Sequence, residues 1–256
     1  MSRELAASAA VDVVMQAPSL RSHSAPATGR LAAAARGRAS FTLVTHPRIS
    51  GPSTRWLAWK RVIDIAGSLL LLLALSPLML AAAMLIACTG GKVLFRQQRI
   101  GQRGRMFHLY KFRTMRQDAA GILERLLAAD PVLRDEWHRT QKLQQDPRIT
   151  PIGRILRKFS IDELPQLFNV LRGEMSLVGP RPVLLDELPR YGRASLRYLA
   201  VRPGITGLWQ VSGRTETTYR RRVALDSHYV RRQSLWLDLA ILLRTPFAVL
   251  SARGAK

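Results

Sequence analysis

The chain has 256 residues, 47% of them hydrophobic, and 40 Lys+Arg against 17 Asp+Glu give it a net charge of +23. That length allows one ordinary domain with appendages or two small ones, and the charge requires a polyanionic neighbour: nucleic acid, anionic lipid head groups or phosphorylated substrates. The one cysteine, Cys88, excludes an internal disulfide and has no Cys or His partner at metal-ligand spacing, so it reads as a buried apolar side chain.

Residues 1–55 are rich in Ala, Ser, Arg and Pro, with Glu4 and Asp12 as the only acids. So little large apolar surface predicts a disordered basic tail. The alternative is an organellar transit peptide, which has a similar composition.

Residues 65–87 carry no charge and amount to about 35 Å of helix, enough to span a bilayer. Pro77 interrupts the run, removing a backbone donor, and Ser76 offers a hydroxyl to the group so freed. The first 61 residues hold nine Lys/Arg against two acids, and residues 88–116 hold eight against none. The positive-inside rule then puts both flanks in the cytoplasm. A helix broken at Ser76-Pro77 and returning to its own side meets that demand. An ordinary kinked transmembrane helix is the alternative, and a buried core helix is least favoured because the stretch has no polar face. The membrane segment is therefore expected over residues 56–90 and the remaining domain over 91–256.

Beyond the apolar run, "KVLFRQQRIGQRGRMFHLYKFRTM" predicts two short strands around a turn at residues 101–104. Phe107, Tyr110 and Phe112 among basic residues fit a hairpin burying aromatics better than a nucleic-acid stacking face, so no nucleic-acid partner is expected. A helical pair over 118–145 breaks near Asp130-Pro131. Short helices follow over 152–158 and 163–171, loops over 179–182 and 202–207, and helices over 217–232 and 234–250. There is no internal repeat and no regular strand–helix alternation. The fold class expected is mainly α with a small β component.

Acids are scarce, so the adjacent pair Asp162-Glu163 in "LRKFSIDELPQLFNVL" stands out. Ser160 and Glu163 match a capping box, yet a helix start also attracts anions, and a carboxylate can form an acyl-phosphate. Around the pair lie "KFRTM" (Lys111, Arg113), Arg157, "GPRP" (Arg181), "RPGITG" (Arg202) and "SGR" (Arg214). Proline beside arginine stiffens the backbone, glycine permits close approach to a ligand, and fixed guanidinium forks suit diphosphate. No zinc, Walker A, dinucleotide-binding or Ser-His-Asp pattern occurs.

"KRVIDI", the "SP" of the apolar run, "YKFRTM", "DPRITPIGRILRKFSIDELPQLFNVLRGEMSLVGPRP" and "RPGITGLWQVSGR" resemble, in unbroken order from Lys60 to about Leu250, the bacterial sugar transferases known as monotopic phosphoglycosyl transferases. The extra transmembrane helices of longer members do not appear in the sequence, so a short form is expected. The resemblance implies transfer of a sugar-1-phosphate from a UDP-sugar to undecaprenyl phosphate with release of UMP, the first membrane step of exopolysaccharide synthesis. It implies Mg²⁺, a re-entrant helix with both ends cytoplasmic, and a catalytic domain on the cytoplasmic face of the bacterial inner membrane. By the same likeness Asp162 is the nucleophile and Glu163 holds Mg²⁺ with it. Lys111, Arg157, Arg181 and Arg214 hold phosphates or nucleotide, with Asp238 in support. Arg113 and Arg202 join them by position in the motifs. Anionic lipid is a further expected partner, and a homodimer is left open. "EWHRTQKLQQDPRIT" and "GLWQVSGR" look more like the galactose branch than the glucose branch, so UDP-galactose is expected first, UDP-glucose second and N-acetylated sugars third. The competing readings are a membrane-anchored anion-binding protein without chemistry and a phosphatase using the same aspartyl intermediate.

Overall fold

The computed structural model describes residues 54–140, 143–214 and 217–251. The tail expected over residues 1–55 lies outside them apart from its last two positions, which open helix α1 (Thr54–Ala87). This helix has 34 residues, about 51 Å at 1.5 Å per residue. Trp56–Ala87 is long and apolar enough to cross a membrane, and only 11% of its most apolar window is buried within the protein. A soluble core helix would be covered.

Helical structure runs through Ser76-Pro77 without interruption, where a break was expected. Pro77 leaves the Leu73 carbonyl without its usual donor, and Ser76 Oγ donates to that carbonyl at 2.8 Å. The hydroxyl thus supplies what the proline removes.

Both halves of α1 pack on the same domain. Near its start, Lys60 pairs with Asp238 at 2.5 Å, and Arg61 donates to the carbonyls of Val170 and Leu171. Asp64 accepts from Ser176 Oγ and the Leu177 amide, each at 3.0 Å. Gly67 lets Leu177 approach; a Cβ there would lie 2.7 Å from its Cδ1. Near its end, Ala82 and Ile86 pack with Phe112 and Leu156, and Arg113 ties down Ile86, Thr89 and Gly90. Leu69, Leu70, Leu73, Leu80 and Met84 between these clamps are exposed.

The expected hairpin is present as β1 (Leu94–Ile100) and β2 (Met106–Phe112), antiparallel with Leu94 opposite Phe112. Phe107 and Leu109 enter the main core, where they meet Val170, Leu177, Tyr229 and Ile241. The helical pair is α2 (Ala119–Ala129) and α3 (Pro131–Thr140), and Asp130 accepts from the amides of Val132 and Leu133 at the α3 start. Helix α4 (Pro151–Lys158) is capped by Thr150, whose hydroxyl accepts from Gly153 N, with Pro151 at its first position. Helix α5 (Gln166–Leu171) is fixed to β2 by buried Asn169, which accepts from Tyr110 N and donates to His108 O.

Two short strands were not expected: β3 (Ser176–Val178), just before the loop read over 179–182, and β4 (Gly204–Thr206), inside the loop read over 202–207, pair in parallel. The glycines expected to admit a ligand instead admit backbone. A Cβ on Gly204 would sit 2.1 Å from Gly179 N, and one on Gly207 2.1 Å from Gly179 O. Between these strands a 3₁₀ segment, Leu188–Ala194, and helix α6 (Ser195–Ala200) place Tyr191 and Tyr198 in a further core with Ile100 and Val183. The last helices, α7 (Tyr219–Arg232) and α8 (Leu235–Leu250), are capped by Thr218 and Ser234. α8 exposes Trp236 (79%), Leu239, Leu243, Phe247 (74%) and Leu250, spaced so as to share one face. Cys88, expected to be buried, is exposed just past the end of α1, in the turn that Arg113 holds through Ile86, Thr89 and Gly90. The fold is mainly helical with a small sheet component.

Candidate active site

Beyond α4 the chain reverses through Phe159 and Ser160, and Ser160 has a φ of 55°, left-handed for a non-glycine residue. The expected capping box does not form. A cap needs an extended residue, and Ser160 makes no side-chain cap bond. A single 3₁₀ turn, Ile161–Glu163, carries the two acids, and the next helix starts at Gln166 rather than Glu163.

The chain folds four cationic side chains onto this turn. Lys111, on β2, donates to Glu163 Oε1 at 2.7 Å and stands 3.9 Å from Asp162 Oδ2. Arg181, just past β3, reaches Glu163 Oε1 at 3.5 Å. Arg157, in the last turn of α4, bonds Thr114 Oγ1 at 2.9 Å and interacts electrostatically with Asp162. Arg214, with a φ of 49°, interacts with Glu163 and Arg181.

The two carboxyls are driven apart. Burial pushes Asp162 above the usual carboxylate range, and Lys111 offsets this only in part. Burial also acts to raise Glu163, but Lys111 and Arg181 outweigh it and hold that carboxyl below its ordinary value. Adjacent groups set apart in this way are a mark of catalytic sites. Asp162 is the more basic of the two, while Glu163 stays anionic under the cations.

A cavity of about 1790 Å³ opens over the dyad, larger than the roughly 300–1,000 Å³ of a site for one small ligand. Lys111, Arg157, Asp162, Glu163, Arg181 and Arg214 all line it. One part of its wall is apolar, with Leu71, Leu75 and Leu78 of α1 and Leu242, Pro246 and Val249 of α8. Another part is polar and aromatic, with Arg99, Glu187, Trp209, Gln210, Tyr219 and Arg222. The sequence reading missed that second set. The signals available to it were the "GLWQVSGR" segment behind the sugar expectation, which contains Trp209 and Gln210, and the spacing of Arg222 and Asp226, four apart on a helix.

Of three further expected site residues, two are engaged in holding α1 and one lies outside the cavity. Arg113 borders the cavity, but one of its terminal nitrogens holds the end of α1. Arg202 lies outside the cavity, beside a small pocket it shares with Asp64 and Tyr229. Asp238 is buried between Lys60 and the Tyr229 hydroxyl, which donates to it at 2.8 Å, and so anchors α1. Motif proximity in the chain did not translate into proximity to the dyad.

Among the described residues no cluster of three or more His, Cys, Asp or Glu gathers to hold a metal ion. The dyad offers two carboxylates, and Lys111 and Arg181 both meet Glu163 at Oε1. Mg²⁺ is commonly held by one or two carboxylates with water and substrate phosphate completing the shell. The donor set fits that ion.

Known proteins are similar to this chain in sequence. The chain is 50% identical over 203 residues to an undecaprenyl-phosphate galactose phosphotransferase of Salmonella typhimurium, a match covering 79% of this chain and 42% of that protein. It is 48% identical over 197 residues to the exopolysaccharide production protein ExoY of Rhizobium meliloti, covering 77% and 87%. It is 43% identical over 223 residues to an undecaprenyl-phosphate glucose phosphotransferase of Komagataeibacter xylinus, covering 80% and 38%. The chain thus spans about two fifths of the length of the two phosphotransferases. The bacterial sugar transferase family model matches residues 55–252, from the start of α1 past the end of α8. With the dyad, its cations and the apolar helix all inside that span, the chain belongs to the bacterial sugar transferase family.

Proposed function

We propose that this protein transfers a sugar-1-phosphate from a UDP-sugar to undecaprenyl phosphate, releasing UMP, as the opening membrane step of exopolysaccharide synthesis. The carrying observation is the position of Asp162: buried, raised in basicity, ringed by Lys111, Arg157 and Arg181, and facing a cavity with an apolar wall. A Asp162 oxygen attacks the sugar-bearing phosphorus, a bond to phosphorus forms, and the bridging oxygen leaves with UMP. The lipid phosphate then attacks the same phosphorus and frees the carboxylate. Two anions that repel each other are handled in turn, and the cations neutralise each. Lys111 and Arg181 keep Glu163 ionised through both steps. Mg²⁺, when bound, would be held by Glu163 and Asp162 and would draw charge from the diphosphate oxygens.

The apolar wall supports the lipid acceptor. Leucines of α1 and α8 lead from the dyad to exposed apolar faces of the same two helices. An isoprenoid chain can lie there with its phosphate at the cations. The clamps at both ends of α1 support a re-entrant arrangement, since a domain holding both ends puts both flanks on one side, the cytoplasmic face by their positive charge. Galactose is the sugar proposed first, glucose second.

The test is UMP release from a panel of UDP-sugars with undecaprenyl phosphate as acceptor. Preference for UDP-glucose would revise the sugar alone, turnover without polyprenyl phosphate would indicate a phosphatase, and no release from any donor would leave an anion-binding membrane protein. Labelled donor should leave label on the wild type and none on Asp162→Asn. Exposed Cys88 already reports the side of the α1 end; in a Cys88→Ser background, cysteines at Arg55 and Gly104 should both react from the cytoplasm only.

A further inference from the structure

In the polar part of the cavity wall, buried hydrogen-bonding atoms lack partners among the described residues. They are Arg99 Nε, Glu187 Oε2, Gln210 Oε1, and Arg222 Nε and Nη2, and all four residues line the cavity. Buried polar groups in folded proteins are overwhelmingly hydrogen-bonded. Several orphans in the wall of one cavity therefore mark a surface that a bound molecule completes.

The side chains are held in place by their other contacts. Arg99 donates to Gln97 Oε1 at 2.7 Å and Pro182 O at 3.3 Å. Gln210 donates to Ile205 O at 3.2 Å, which leaves its carbonyl oxygen unused. Arg222 lies over the rings of Trp209, at 4.9 Å, and Tyr219, at 5.4 Å. Its Nη2 stands 3.9 Å from Glu187 Oε2, beyond hydrogen-bond reach. An oxygen set to one side of that gap can lie at about 2.8 Å from both. A hydroxyl placed there donates to the carboxylate and accepts from the guanidinium.

We propose that Arg99, Glu187, Gln210 and Arg222 form the subsite that holds the hydroxyls of the transferred hexose and distinguishes its epimers. The assignment rests on the reaction proposed above. Position favours the sugar over the uridine. Arg181 reaches Glu163 at 3.5 Å and also lies 5.9 Å from the centroid of the Trp209 ring, which Arg222 approaches at 4.9 Å. The cluster thus begins one guanidinium away from the dyad. In a UDP-hexose the sugar is joined through one oxygen to the phosphorus that Asp162 attacks, whereas the uracil lies beyond a second phosphate and a ribose. Chemistry agrees: two acceptors and several donors in alternation suit hydroxyls, which do both. Epimers differ in where one such hydroxyl points, and a site built to bond it leaves buried groups unpaired with the wrong epimer.

The test uses the full chain in detergent with undecaprenyl phosphate, comparing wild type with the near-isosteric Glu187→Gln and Arg99→Lys. Three quantities are read: kcat/KM for UDP-galactose, kcat/KM for UDP-glucose, and inhibition by UDP. The ratio of the two efficiencies is independent of the fraction of each preparation that folds. The expected result is a fall of about tenfold or more with the preferred hexose, a selectivity ratio drawn towards one, and unchanged inhibition by UDP. An equal loss of UDP inhibition would make the cluster a nucleotide site and overturn the assignment. A wild-type ratio in both variants would reduce it to a structural network and do the same. Wild type that releases no UMP from either donor would remove the reaction itself, and the subsite with it.

Discussion

Asp162 and Glu163 are neighbours with opposite electrostatic fates, and the difference lies in who reaches them. Glu163 Oε1 takes Lys111 at 2.7 Å and Arg181 at 3.5 Å, while Asp162 receives Lys111 at 3.9 Å. The signs give separable predictions. Glu163 has a lowered folded pKa, so its contribution to stability is present above its unfolded value of 4.5 and is lost as pH falls below it. Asp162 has a raised folded pKa, so ionising it costs stability, and the cost appears as pH rises past its unfolded value of 3.8. Asp162→Asn should therefore abolish turnover by orders of magnitude yet raise Tm at neutral pH by roughly 2–6 °C. The gain should shrink in melts at acidic pH. A variant that stays active would reduce Asp162 to a turn residue. Lys111 lowers the Asp162 pKa, so Lys111→Met should move the acid limb of the pH–rate profile to higher pH, with a lower plateau. At this scale the dyad and four of its cations were legible because charge is scarce among acids and the motif is long. One-dimensional spacing does not say which way a loop turns, so it could not show that Arg202 and Asp238 stand outside the lining of the cavity. The Ser160 cap was misread because the pattern of letters does not carry φ.

Secondary structure was legible where period or punctuation was strong. The hairpin and the Asp130-Pro131 break were read from local rules, and the caps at Thr150, Thr218 and Ser234, which the sequence reading did not single out, obey such rules too. β3 and β4 were missed because three residues are too few to show alternation, and their pairing depends on glycines 25 residues apart meeting in space. Two element-level predictions follow from close contacts. A Cβ on Gly153 would lie 2.1 Å from the Thr114 carbonyl oxygen. Gly153→Ala should therefore shift α4, loosen Arg157 from Thr114, and cost about 1–3 kcal/mol in denaturant unfolding together with most activity. Ser76→Ala strips the Leu73 carbonyl of its donor in an apolar setting. It should lower stability by about 1 kcal/mol in detergent, an effect that the double variant with Pro77→Leu should erase by restoring a backbone donor.

On the scale of the whole molecule, two apolar surfaces and one sign of charge act together. α1 and α8 expose leucines, Trp236 and Phe247, while the chain carries a net charge of +23. Encounter with anionic vesicles should weaken steeply as salt rises, because the attraction is screened over about 10 Å at 0.1 M. Retention, once apolar surface is buried, should not. Replacing Trp236 and Phe247 together with serine should reduce retention in flotation assays while leaving the salt dependence of encounter unchanged; retention equal to wild type would show that α8 stays out of the lipid.

The clamp at the start of α1 also has a temporal side. Lys60 and Asp238 are 178 positions apart. At about 5–20 residues per second of synthesis, roughly 10–35 seconds separate the emergence of one from that of the other. Throughout that interval the apolar helix is already made, while the carboxylate that anchors it does not yet exist. A bilayer can shelter it over that interval, so entry of the candidate membrane helix into lipid is expected to precede completion of the fold. Nascent chains arrested ahead of α8 should already sediment with membranes, yet remain open to protease until the last helix closes the clasp.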